Sequence, residues 1–130
     1  MFYLTKEFRF EAAHHLLGYD GACANVHGHS YKLHVTVGGD ISELSSDSAS
    51  DCMVMDFKDL KFLVDEKVIK KFDHQDLNVF FKNPTAEVIA NHIYWVVRNA
   101  LPAKIKIVHI KLWETETSFV EFGDLSPGDD

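Results

Sequence analysis

A thiol and two imidazoles fall within one short stretch, Cys23-Ala24-Asn25-Val26-His27-Gly28-His29, directly ahead of an alternating run from Ser30 to Gly39. Side chains two apart on an extended chain project from one face, so His27 and His29 can converge on a single ion, with Gly28 leaving room between them. A third imidazole is available upstream. His14 ends the run Phe8-Arg9-Phe10-Glu11-Ala12-Ala13-His14 and shares parity with Phe8, Phe10 and Ala12, so it can arrive from a neighbouring strand. Three histidines leave one tetrahedral position of a zinc ion open, the pattern of a catalytic site. A thiolate from Cys23 as fourth ligand would instead close the site and make it structural. Residue types and spacing leave both uses open.

The elements that must position these groups follow from periodicity. Phe2 to Phe10 alternates in part and reads as a strand, and Leu17 to Ala22, with Gly18 and Gly21, as the loop leading to Cys23. Tyr31, Leu33, Val35 and Val37 alternate with Lys32, His34 and Thr36 in the clearest strand, which Gly38-Gly39-Asp40 ends. By parity His34 lies opposite His27 and His29, as a surface or packing residue. Asp40 to Asp51, rich in Ser and Asp, reads as an exposed loop, and Cys52 beside Met53-Val54-Met55 as a buried structural thiol. Asp56 caps a helix whose Phe57, Leu60, Val64 and Val68 form a core stripe. The adjacent Asp73 and His74 then fall in a loop. A second helix starts at Asn83-Pro84-Thr85, capped by Asn83 or Thr85, with Ile89, Ile93, Val96 and Ala100 as its buried face and Pro102 as its stop. Lys104 to Thr115 and Ser118 to Phe122 make two more strands around a Glu116-Thr117 turn, and Ser126 to Asp130 a disordered acidic tail.

The order β-β-α-α-β-β predicts one α+β domain over residues 1–125, a four-stranded antiparallel sheet with helices on one face. The other sheet face reads as partly apolar. Both it and the sheet edges then require cover, which oligomerisation into a barrel supplies.

Composition narrows the function classes. The chain has 130 residues, 46% of them hydrophobic, and a net charge of −7 without a basic stripe, which excludes general nucleic-acid binding and favours a small substrate. No run approaches a membrane span and no signal pattern opens the chain, so a cytoplasmic protein without membrane contact is expected. Two cysteines are too few for a disulfide framework, and in a reducing compartment at least one reads as a reactive thiol.

Six motifs occur in register: Phe10-Glu11-Ala12-Ala13-His14, Cys23-x3-His27-Gly28-His29, Val54-Met55-Asp56-Phe57, Asp73-His74-x2-Leu77-Asn78, Asn83-Pro84-Thr85-x-Glu87 and Glu114-Thr115. Together they cover nearly the whole chain, which resembles the 6-pyruvoyltetrahydropterin synthase family, and within it the 6-carboxytetrahydropterin branch of queuosine-precursor biosynthesis. The resemblance implies the tunnelling fold (T-fold), whose subunits form trimeric β-barrels that stack into hexamers with active sites at subunit boundaries. It implies His14, His27 and His29 as ligands of Zn2+, Cys23 as general base, and Asp73 with His74 as a proton relay supplied from an adjacent subunit. Glu114 would bind the pterin ring, and Thr85, from the Asn83-Pro84-Thr85 motif, would belong to the same substrate site. The implied reaction converts 7,8-dihydroneopterin triphosphate to 6-carboxytetrahydropterin, acetaldehyde and triphosphate. The pyruvoyl outcome, triphosphate elimination without side-chain cleavage, is the neighbouring alternative; a non-catalytic zinc domain is the alternative from another class. Two departures stand out: His15 occupies a position where many relatives carry Arg, and the Asp40 to Asp51 loop is longer than that of bacterial carboxy enzymes. The three-residue interval from Cys23 to His27 favours the carboxy branch, and no Glu falls within it.

Overall fold

The computed structural model describes residues 1–18, 21–43 and 52–125. Two long strands dominate it, β1 (Phe2–His14) and β2 (His27–Gly39), paired antiparallel from Phe2↔Gly39 to His14↔His27. The register places Phe8, Phe10 and Ala12 opposite Leu33, Tyr31 and His29 on one face, so the period-2 apolar set of each strand becomes a shared buried surface. Helix α1 (Phe57–Val64) runs without a break through a π-helical stretch, Asp65–Ile69, into a last α-turn, α2 (Lys70–Phe72). A two-residue strand, β3 (Gln75–Asp76), follows, then helix α3 (Ala86–Ala100) and the strands β4 (Ile107–Trp113) and β5 (Phe119–Gly123). The strand order is β3-β1-β2-β4-β5.

The expected four-stranded sheet therefore has five strands. The segment read as a loop around Asp73 and His74 pairs in parallel with β1 through Gln75 and Asp76 opposite Ala12 and Ala13. Two residues are too few to leave an alternating signature. The antiparallel pairing assumed for the first two strands holds, as does the hairpin of the last two, closed by Glu114 N–H donating to the Ser118 carbonyl.

Asp56 caps α1 by accepting from the Lys58 amide, and Thr85, not Asn83, caps α3 by accepting from the Val88 amide. The helices cover one sheet face and bury Leu60, Val64, Val68, Ile89, Ala90, Ile93 and Val97 against it. Three sequence expectations fail at the margins of this core. Phe57, the first residue of α1, is 52% exposed. On α3 the buried positions are Ala86, Ala90, Tyr94 and Val97 beside Ile89 and Ile93, while Val96 is half-buried and Ala100 exposed. Cys52, expected inside, is exposed with φ +66°, and only Val54 of its apolar neighbourhood is buried. Most of the serine-rich loop and all of the acidic tail lie outside the described residues.

The uncovered sheet face is chiefly polar. Thr5 and Thr36 hydroxyls bond at 2.7 Å, Glu7 meets His34, Ser30 donates to Glu11, and His109 meets Glu121. Its apolar share includes Tyr3, Ile107, Trp113 and Phe119, with the Lys32 and Lys111 ammonium groups 4.1 and 4.8 Å from the indole centroid.

Candidate metal centre and active site

The β1–β2 register brings the three histidines together. His14 faces His27 across the ladder, and His29 faces Ala12 one step further in. One ligand nitrogen from each imidazole lies within 4.8 Å of the others. Cys23, expected either beside this cluster or in it, does not belong to the converging set.

The ring contacts determine which nitrogens face inward. His14 is 1% exposed, and its Nδ1–H donates to the Pro84 carbonyl at 2.8 Å. His27 Nδ1–H donates to the Asn25 carbonyl at 2.7 Å. Both tautomers follow from their acceptors, and each leaves Nε2 with a lone pair. Those two lone-pair nitrogens lie 3.0 Å apart, a repulsive contact unless a proton or a cation sits against them. His29 Nε2 is buried without a hydrogen-bond partner, with Glu114 Oε1 3.8 Å away, beyond bonding distance. Burial holds the His29 imidazole below its ordinary value; Glu114 opposes that shift and the other two imidazoles add to it. The Nε2 atoms of His14 and His27, backed by carbonyl acceptors at Nδ1, together with the buried, unpartnered Nε2 of His29 make a donor set that fits a divalent metal ion.

Cys23 sits on a 3-10 turn, Ala22–Ala24, ahead of β2, and is half-buried. Its carbonyl accepts from the Leu16 amide at 2.9 Å, which ties the turn to the chain leaving His14. Glu114 follows directly on β4 and shares a cleft of about 320 Å³ with Leu16, Thr85, Glu87 and Phe119. The expected pterin-side residues Glu114 and Thr85 therefore line one cavity adjoining the histidines. The Thr85 hydroxyl already serves as the α3 cap.

Asp73 and His74 lie at the sheet edge, directly before β3, where His74 lines one cleft with His29. Asp73 Oδ1 accepts from the Glu11 amide at 2.9 Å, which holds its carboxyl below the usual range, and Oδ2 lies 3.1 Å from His74 Nδ1. The His74 side chain is 77% exposed at a backbone φ of +61°. Within one chain the pair bonds to neither Cys23 nor the imidazoles among the described residues. Sequence reasoning also missed the main-chain acceptors, Pro84 and Asn25. It quoted Asn78 without a role and weighed Asn83 only as a helix cap, although both bond the segment just after His14.

The match to known proteins decides the family. The model of the family described as 6-pyruvoyl tetrahydropterin synthase matches residues 3–124. The chain belongs to this family. A 6-carboxy-5,6,7,8-tetrahydropterin synthase from Haemophilus influenzae is 39% identical, covering 94% of this chain and 99% of its own. A dihydroneopterin monophosphate aldolase from Pyrococcus furiosus is 40% identical over 74% of this chain and 76% of its own. Among solved structures, the 6-pyruvoyl tetrahydropterin synthase of Caenorhabditis elegans superposes with a TM-score of 0.78, at 23% identity, over 95% of this chain and 96% of that one. That likeness establishes the fold of the tetrahydropterin synthase family here. None of the helices described is long and apolar enough to cross a membrane.

Proposed function

We propose that the chain is a zinc-dependent 6-carboxy-5,6,7,8-tetrahydropterin synthase serving queuosine-precursor biosynthesis. The observation that carries this is the convergence of one nitrogen from each of three imidazoles on a common point, with Cys23 outside that set. The Haemophilus relative, matched along nearly its whole length, supports the carboxy branch. His14, His27 and His29 would hold the ion, which supplies Lewis acidity toward substrate oxygens and so acidifies neighbouring carbon-bound protons. Cys23 removes such a proton as general base. The Glu114 carboxylate accepts paired hydrogen bonds from the amino-pyrimidinone edge and so sets which side-chain carbon faces the thiol. Thr85 borders the same cleft and completes its wall.

Asp73 and His74 act across a subunit boundary in this proposal, since within one chain they lie at the sheet edge. The edges themselves support assembly. β3 covers β1 only at Ala12 and Ala13, and β5 ends the sheet on the other side, so each monomer presents unpaired strand groups at both edges. Trimers or hexamers closed into a barrel satisfy both. Light scattering at micromolar concentration should return a multiple of the 14.8 kDa chain; monomers alone would refute this assembly.

The Pyrococcus relative supports a second reading, side-chain cleavage of the dihydroneopterin monophosphate itself. One experiment separates the outcomes. The zinc-loaded protein is incubated with 7,8-dihydroneopterin triphosphate, and in parallel with the monophosphate, while volatile aldehyde is trapped and the pterin followed by mass. Acetaldehyde with 6-carboxytetrahydropterin is expected from the triphosphate. A pterin keeping all three side-chain carbons moves the chain to the pyruvoyl branch, and turnover of the monophosphate alone to the aldolase reading. No conversion of either leaves a non-catalytic metal domain.

A further inference from the structure

We propose that Asn78 and Asn83 are positioning residues that fix the Cys23 turn against the strand end carrying His14. The inference rests on the reading of Cys23 as the general base. β1 ends at His14, so the next three amides have left the ladder, and each has acquired a dedicated acceptor. The His15 N–H donates to Asn78 Oδ1 at 2.9 Å, the Leu16 N–H to the Cys23 carbonyl at 2.9 Å, and the Leu17 N–H to Asn83 Oδ1 at 3.0 Å. Asn78 also donates back, from Nδ2 to the His15 carbonyl at 3.1 Å. The Cys23 bond is thus the middle one of three consecutive contacts, and a side-chain amide holds the residue on either side of it.

Both asparagines come from the segment that carries other parts of the site. Asn78 follows the Asp73–His74 edge, and its own amide is capped by Asp76 Oδ1. Asn83 precedes Pro84, whose carbonyl holds the His14 ring. Loss of either side chain leaves an amide of residues 15–17 without its acceptor and lets that segment shift. The thiol follows, because its turn is bonded to Leu16. A displacement of the base by ~1 Å is enough to cost about 10²-fold in rate.

The two asparagines use different atoms, and this makes the inference testable. Asn83 serves only through its oxygen, so Asn83→Asp keeps the contact and Asn83→Leu removes it. Asn78 serves through oxygen and nitrogen, so Asn78→Asp sets a carboxylate oxygen against the His15 carbonyl. The test measures iodoacetamide alkylation of the Cys23 peptide by mass, which keeps exposed Cys52 separate, together with zinc content, melting temperature, kcat and KM. Asn83→Asp should resemble wild type. Asn83→Leu and Asn78→Asp should alkylate several-fold faster at Cys23 and lose about 10²-fold in kcat, with KM and zinc content little changed. Equal behaviour of Asn83→Asp and Asn83→Leu would overturn the proposal, as would unchanged alkylation in both Asn83→Leu and Asn78→Asp. If Asn78→Asp does not fold, the Asn83 pair decides alone. The alkylation readout needs no turnover, so a failure of the enzymatic reading is told apart from a failure of the positioning role.

Discussion

Replacing Cys23 by Ala is expected to leave zinc content at the wild-type level and to lower turnover of dihydroneopterin triphosphate by at least ~10²-fold, the scale of general-base removal. The expectation follows from where the sulfur lies. Three imidazole nitrogens converge without it, and the turn bearing it is fastened through its main chain, not through its side chain. An alanine there removes a thiol and no contact that holds the fold together. Metal analysis and steady-state kinetics on the same preparation check the result. Loss of zinc with loss of folded structure would show the thiol to be the fourth ligand of a closed structural site, and the enzymatic proposal would fail at its centre.

The second large effect is expected at His27. His27→Ala should reduce zinc affinity by more than the ~10–100-fold typical of losing a second-shell partner, because it deletes a first ligand. Turnover should fall with it. The fold should remain, since the core of Phe10, Tyr31, Leu33 and the helix residues makes no use of this half-exposed strand end. The variant also separates two explanations of the 3.0 Å approach between His14 and His27. If the imidazoles merely share a proton, zinc content measured by atomic absorption is indifferent to the change. Wild-type stoichiometry in His27→Ala would remove that residue from the metal centre.

What the sequence made legible was local. A strand has a period of two, so the parity of His27 with His29, and of His14 with Phe8 to Ala12, could be read directly. Their meeting depends on the pairing of residues 13 positions apart in the chain, which only the ladder specifies. The face of α3 was half legible for a related reason. Val96 and Val97 are both apolar and adjacent, and only the packing of the helix on the sheet selects Val97 for the interior. Main-chain acceptors such as the Pro84 and Asn25 carbonyls leave no mark in the sequence, because every residue has a carbonyl. Nothing in the spacing of Glu114 sets it beside His29; the pairing of β4 with β2 does. The resemblance to the tetrahydropterin synthases supplied those roles in advance. The geometry now gives physical reasons for the placement of Glu114 and the histidines, and sets the Asp73–His74 pair at the sheet edge beside β1.

The three imidazoles stand on paired strands, whereas the thiol stands on a short turn bonded through the Cys23 carbonyl to the segment after His14. Scaffold and reactive group are therefore separable in heredity. Under the proposed function, insertions or exchanges between residues 16 and 26 would re-aim the thiol while the three imidazoles, built into the sheet, are inherited intact. A lineage can change which bond breaks without rebuilding the apparatus that weakens it, and a designer can treat that loop as a replaceable cassette.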